Sequence, residues 1–292
     1  MVTRRALNLV VVAAAALFAT ACSLTRLAYS NAAFAYSNAT PVITWMVADY
    51  VDLSEEQKDW VRERLVRAFA WHRAQELPEY RRFFERVLAE SQDTISVEEA
   101  RLAHRDLRAY YHRTLERMLP DIAELLAQLN AEQVGQLERR FDKDNRKMLS
   151  ESLDGTPAER RERRSKRFLD HVEEFTGSLT DAQRELVAER VGALAEFTED
   201  YLADRRYRQA GILALARSEP PREKMVAELK RLLIDSESWR SPDYLRKLRD
   251  RDRQIFEMIA ALSATLSPEQ RATFQKRVRG FMRDITELTA ST

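Results

Sequence analysis

The sequence predicts an all-α protein, an elongated or open multi-helix bundle. Three observations carry this. Apolar residues recur at three- and four-residue steps in nearly every segment after Pro41. Helix-start signals stand in front of most of those segments. Breakers are scarce, with six glycines and eight prolines in 292 residues. No stretch alternates apolar and polar residues as a half-buried strand does. Charged residues make up 33% of the chain, against about 25% in ordinary domains, so much helical surface faces water.

The first 21 residues read as a secretion signal. Arg4 and Arg5 form its basic start, Leu7 to Phe18 its uncharged centre, and small residues its end. The centre is shorter than the roughly 20 apolar residues that span a bilayer, so cleavage is expected rather than a retained membrane helix. Ala19-Thr20-Ala21-Cys22 follows it, and Cys22 is the sole cysteine. That pattern resembles a bacterial lipobox, with Ala19 where Leu is usual. The alternative is an ordinary signal peptide with a chance cysteine. The lipobox reading makes Cys22 the lipidation site and the membrane a partner through that anchor. Acyl chains contribute roughly 0.8 kcal/mol per buried methylene, so several hold where one does not. Ser23, not Asp, follows Cys22. By resemblance to lipoproteins of enteric bacteria this implies the outer membrane, facing the periplasm.

Without residues 1–21 the chain carries 46 basic and 47 acidic residues. Bulk charge gives no reason to expect nucleic-acid binding. Residues 22–40 form the lipidated cysteine and its tether, which reads equally as a short helix or a flexible link. Within it Tyr29 and Tyr36 recur seven residues apart, on one face if helical. Two helical halves are then expected, 41–154 and 155–292.

Thr40-Pro41 starts a short apolar helix through Trp45 and Met46. Ser54 starts a long one with Trp60, Val61, Leu65, Ala68, Phe69 and His72 on its apolar steps. Pro78 opens another, with Phe83, Phe84, Val87 and Leu88. Ser96 and Glu99 make a capping box ahead of Ala100, Leu107, Leu115 and Met118. Asn130 opens a helix to about Leu149. Asp154-Gly155-Thr156-Pro157 is the clearest break, a turn followed by Pro at a first helical position. Later starts are Thr180, Pro220-Pro221, Ser241-Pro242 and Ser267-Pro268.

Four segments share one pattern: Leu53-Ser54-x-x-Gln57, Leu129-Asn130-x-x-Gln133, Leu179-Thr180-x-x-Gln183 and Leu266-Ser267-x-x-Gln270. The second residue is an N-cap and Gln reaches back to it. Eight residues after each Leu stands Val61, Leu137, Val187 or Phe274. Twelve after stands Leu65, Phe141, Val191 or Val278. Both positions share a helical face and read as core. Eleven after is always arginine, Arg64, Arg140, Arg190 and Arg277. These arginines are expected to bridge to a neighbouring helix or lay their stems over it. The pattern reads as an internal repeat, two copies per half, and its segments as structural joints.

These segments resemble the LTxxQ motif of the Spy/CpxP family of periplasmic proteins. That resemblance implies an all-helical fold and a chaperone-like, ATP-independent role toward unfolded proteins in envelope stress. It covers four short segments, and members of that family are smaller and not generally lipid-anchored. The whole chain is closer to a family of uncharacterised proteobacterial lipoproteins. These join a lipobox to a stretch like Trp45, Asp49, Tyr50, Asp52 and Leu53 and to a helical body, with no assigned activity.

Other constellations point away from catalysis. His72, His104, His112 and His171 are scattered without metal-ligand spacing. No glycine-rich phosphate loop or nucleophile elbow occurs. Acidic neighbours such as Glu55-Glu56, Glu98-Glu99 and Glu173-Glu174 suit helix starts or solvated faces. No enzyme activity, cofactor, metal or small-molecule substrate is expected. The basic run 160–167 reads as a solvated helix start, or else as a contact for lipid head groups or an acidic client. Trp60, Phe69, Trp71, Tyr80, Phe83 and Phe84 read as core, or else, in an open cradle, as part of a concave surface that holds an unfolded chain. The expected role is non-enzymatic binding of unfolded or envelope proteins. The alternative is a structural or scaffold subunit of an envelope complex.

Overall fold

The computed structural model describes residues Ala39–Ala290. The signal segment, Cys22 and all but the end of the 22–40 tether lie outside the described residues. The fold is all-α, and no strand occurs among the described residues. Its helices are α1 (Ala39–Tyr50), α2 (Glu55–Trp71), α3 (Leu77–Glu90), α4 (Val97–Ala127), α5 (Ala131–Leu153) and α6 (Pro157–Thr176). They continue as α7 (Asp181–Ala193), α8 (Thr198–Ser218), α9 (Arg222–Leu233), α10 (Pro242–Thr265) and α11 (Pro268–Ala290). None is long and apolar enough to cross a membrane.

Capping accounts for most of the boundaries. Ser54, Thr156 and Thr180 each accept from the backbone three residues on, and the side chain there reaches back. Ser96 and Glu99 do the same ahead of α4. Gly155 has φ +76° in the turn before α6, a left-handed conformation that a side chain would oppose.

Two boundaries differ from the sequence reading. Pro78 opens no new helix. Helical bonding continues from α2 into α3 through a π turn, His72–Glu76. Proline has no N–H and its ring crowds the carbonyl four residues back, so a widened turn just ahead of Pro78 relieves the conflict. The helix that starts at Thr180 stops at Ala193, and a fresh one begins at Thr198. Glu199 and Asp200 in its first turn complement the helix dipole.

The chain forms two compact units, but not the halves 41–154 and 155–292. Unit 1 takes residues up to Glu76, then Ala109–Leu149 and Glu199–Arg240. Unit 2 takes Leu77–Arg108, Ser150–Thr198 and Ser241 onward. The physical reason is helix length. α4 has 31 residues, about 46 Å at 1.5 Å each, and serves one unit with its start and the other with its remainder.

Unit 1 is built on Leu115, Leu119, Leu126, Leu137, Phe141, Ile212, Met225, Leu229 and Leu232, all fully buried. Gly211 lets α8 approach α9, since a Cβ there would meet Leu232 Cδ1 at 2.6 Å. In unit 2, Leu179, Val187, Val191, Met258 and Leu262 form a core, with Phe168, Leu169 and Val172 of α6 packed on it. Phe84 of α3 stacks on Phe281 of α11 with ring centroids 5.3 Å apart. Of the six aromatics read as core, Phe69, Tyr80 and Phe83 are buried. Trp60, Trp71 and Phe84 are half-buried.

Candidate functional site

The four repeated segments meet in pairs, one pair in each unit. In unit 2 the carboxamides of Gln183 and Gln270 face each other. Gln183 Nε2 donates to Gln270 Oε1, and Gln270 Nε2 to Gln183 Oε1, both at 2.9 Å. The second hydrogen of each amide goes to the carbonyl just before the partner's leucine. Gln183 donates to Thr265 O and Gln270 to Ser178 O, both at 2.8 Å. Each Oε1 also accepts its own N-cap amide, from Thr180 and from Ser267, at 3.0 Å.

Unit 1 repeats this arrangement atom for atom. Gln57 Nε2 donates to Gln133 Oε1 at 3.3 Å, and Gln133 Nε2 to Gln57 Oε1 at 2.7 Å. Gln57 also reaches Gln128 O at 3.0 Å, and Gln133 reaches Asp52 O at 2.9 Å. Ser54 and Asn130 donate their backbone N–H to the two Oε1 atoms. A carboxamide has two donors and two acceptor sites, and all are used in each of the four glutamines. Gln133, Gln183 and Gln270 are buried and Gln57 is half-buried. Leu53, Leu129 and Leu179 are buried, and Leu266 is half-buried.

Pairing explains why the fifth position is glutamine. A carboxylate caps equally well, as Glu99 does for Ser96 and Glu159 for Thr156. Those two boxes have no partner motif. A carboxylate has no hydrogen to give across the joint, so the paired positions require the amide.

The repeated arginines do not share one fate. Arg64 pairs with Asp121 at 3.3 Å and Glu124 at 3.0 Å on α4, and lies over the Trp60 ring. Arg140 pairs with Asp49 of α1 at 2.8 Å and covers the Tyr50 ring at 4.7 Å. Arg190 is exposed and Arg277 half-buried. Burial draws the Arg277 pKa down.

The stretch from Asp49 to Leu53 therefore docks onto α5. Tyr50 donates its hydroxyl to Asp144 at 2.8 Å. Burial first, then Asp144, pushes the Tyr50 pKa far above its ordinary value. Burial works against the charge of Arg140, but Asp144 and Asp49 outweigh it and raise its pKa. Asp52 donates its N–H to Gln136 Oε1 and lends its carbonyl to Gln133.

Unit 1 also holds a polar cluster that sequence reasoning missed. Arg205 is 1% exposed and donates Nε to Asn145 Oδ1 at 2.8 Å. Asn145 Nδ2 donates to Gln209 Oε1 at 2.7 Å. Beside Arg205 in sequence, the buried Asp204 carboxylate takes Arg208 at 2.8 Å and Arg240 at 2.6 Å. Glu76, buried at the end of the π turn, holds the Arg113 fork at 3.0 and 2.9 Å. In sequence these look like ordinary solvated charges. The one available signal was that the polar and apolar residues of α8 are not separated onto opposite faces.

His72 is buried and its pKa falls to about 4 through desolvation. Its folded pKa lies below the roughly 6.5 of an unfolded histidine. Its contribution is therefore present above pH 6.5 and lost as pH falls toward 4, amounting to about 3 kcal/mol at most. Urea unfolding between pH 7 and pH 4.5 should show that loss, and His72→Phe should make it shallower. A profile unchanged by the substitution would remove His72 as its source. His104 and His112 are half-buried and His171 exposed. No group of three His, Cys, Asp or Glu residues is placed to hold a metal among the described residues.

The basic run splits. Arg160 and Arg164 pair with Glu196 at 3.0 and 3.3 Å, and Arg163 donates to the Asp154 carbonyl. Arg161, Lys166 and Arg167 are exposed. An apolar cleft of about 50 Å³ lies among Val47, Trp60, Leu65, Met118 and Ile122, with room for no more than a few water molecules.

Fold and joints together define a two-unit all-α protein, each unit tied by a reciprocal pair of capped helix starts. Residues 49–245 match the model of a family of unknown function, DUF6279, and the chain belongs to that family. The match begins at Asp49, where the docked stretch starts, and takes in three of the four motifs. No curated protein matches. No solved structure matches.

Proposed function

We propose that this is a lipid-anchored, periplasm-facing protein of the outer membrane with a non-enzymatic, chaperone-like binding role in envelope stress. The anchor and its location rest on the lipobox-like run ending at Cys22 and on Ser23 after it. The role rests on one observation. The four Leu-cap-x-x-Gln segments, which resemble LTxxQ motifs, act in pairs as helix joints. The likeness of those joints to LTxxQ motifs is what ties them to a chaperone-like role.

One observation favours the scaffold reading. The large exposed apolar residues among those described are few: Val42, Trp45, Val66, Val97, Leu107, Leu153 and Tyr207. A holder of unfolded chains commonly offers more apolar surface than that. The test is aggregation of an unrelated denatured protein in the presence of the Ser23–Thr292 fragment. Suppression at near-stoichiometric amounts supports the chaperone-like role. No suppression, together with recovery of a defined envelope partner in a pull-down, replaces it with the scaffold role.

A further inference from the structure

α1 presents an outer face unlike that of its neighbours. Ile43, Thr44, Val47 and Tyr50 turn inward and are buried. The outward positions are Pro41, Val42 and Trp45, with Val42 54% and Trp45 61% exposed. Asp49, at the end of the helix, is engaged by Arg140. By contrast, α2 presents Glu55, Glu56, Asp59, Arg62, Glu63 and Arg67 to solvent, with Val66 the one large apolar side chain among them. In the sequence no charged residue occurs from Leu27 to Ala48, in a chain that is one-third charged.

We propose that the outer face of α1 is a membrane-contact surface, with Trp45 and Val42 set into the head-group layer of the bilayer that carries the anchor. The proposal rests on the Cys22 reading for why a bilayer is near. Three observations favour a bilayer as the occupant. From Cys22 to Ala39 the chain reaches at most about 60 Å fully extended, so α1 can reach the bilayer that holds its anchor but cannot move further from it than that. With 12 residues, α1 is too short to cross a bilayer but suited to lie on one. Tryptophan favours the interface, where the ring is half in hydrocarbon and its N–H meets water.

A second copy of the chain is a poorer occupant. A stable dimer buries about 800 Å² on each partner, and Val42 with Trp45 supplies a fraction of that. The absence of charge on α1 from Ala39 to Ala48 also fits contact with lipid. Each charge removed from that layer avoids a desolvation cost.

The test uses the full acylated chain in phosphatidylethanolamine–phosphatidylglycerol vesicles, with and without lipids brominated near the head group. Bromine quenches tryptophan on contact. The wild-type chain should lose the emission of one of its four tryptophans, and Trp45→Phe should lose none. Val42→Lys should weaken the quenching while leaving the fold intact, because that side chain is exposed. Equal quenching in wild type and Trp45→Phe, or none in wild type, overturns the proposal. Emission that follows protein concentration instead of bromine assigns the face to a second copy and overturns it too. The mass of the mature chain tests the anchor separately. An unacylated chain whose Trp45 is still quenched loses the anchor and keeps the α1 surface. An acylated chain with Trp45 unquenched does the reverse.

Discussion

Gln183→Glu is expected to destabilise the protein by about 3–6 kcal/mol, although it replaces one good capping residue with another. Glutamate keeps the reach back to the Thr180 N–H, as Glu99 and Glu159 show in their own caps. It has no hydrogen for Thr265 O or for Gln270 Oε1, which Gln183 Nε2 now serves at 2.8 and 2.9 Å. Two acceptors would then face a buried carboxylate. Each unmet buried group costs about 1–3 kcal/mol, and more when charged. Thr180→Ala, which removes the cap alone, should cost only about 0.5–2 kcal/mol.

The glutamate variant carries its own check. Protonation restores a donor toward Thr265 O, so the folded-state pKa of the new carboxyl must lie above the roughly 4.3 of a free glutamate. Stability should therefore recover as pH falls through that raised pKa toward 4.3. Far-UV circular dichroism in urea reads the change for Gln183→Glu. Tryptophan emission reads Gln133→Glu, because Trp45, Trp60, Trp71 and Trp239 all belong to unit 1. If Gln183→Glu costs no more than Thr180→Ala, the paired amides add nothing beyond their caps.

The helices were largely legible in the sequence because caps and apolar spacing are local signals. Ser54, Ser96, Thr156 and Thr180 mark starts with chemistry that sits within three residues. Pro78 misled because its effect depends on what precedes it. A π turn absorbs the missing N–H, and nothing in the residues His72–Glu76 announces one. The four repeated segments were visible, but their pairing was not. Within a single sequence Gln57 reads as a cap partner for Ser54, and its second amide hydrogen has no address. The contrast with Glu99 and Glu159 held the clue, since only the paired positions are amides.

The interleaved units were hidden for a related reason. The break at Asp154-Gly155 is a genuine turn, with Gly155 at positive φ, but a turn in the chain is not a boundary between packed bodies. Long helices such as α4 divide their length between units, and no local composition records which turn serves which core. The charged cluster on α8 was hidden by its chemistry. Arg205 and Asp204 have the same letters whether solvated or enclosed, and their partners Asn145 and Arg240 lie far away in sequence.

Asp204→Ala should cost about 3–5 kcal/mol and should be the most damaging single change of a charged residue in unit 1. The Asp204 side chain is 2% exposed, and those of Arg208 and Arg240 are 14% and 18% exposed. Two guanidinium groups are thus held out of water around one carboxylate. Alanine takes the shared carboxylate from both guanidinium groups, and removing one partner of a buried ion pair is the costly case. Arg240 also covers the Trp239 ring, and Trp239 stacks on Tyr207 at 4.4 Å. The tryptophan emission of unit 1 should therefore shift along with the urea midpoint. Replacing all three charges at once, with Asp204→Leu, Arg208→Met and Arg240→Met, should recover most of the loss, because packed apolar groups of similar size often match a buried ion cluster in stability. The triple variant separates two meanings of the cluster. If the wild type suppresses aggregation and a stable triple variant does so equally, the cluster is a tie between α8 and the segment after α9. If it is stable but no longer active, Asp204 and its arginines belong to the binding surface, and the joints alone do not account for the function.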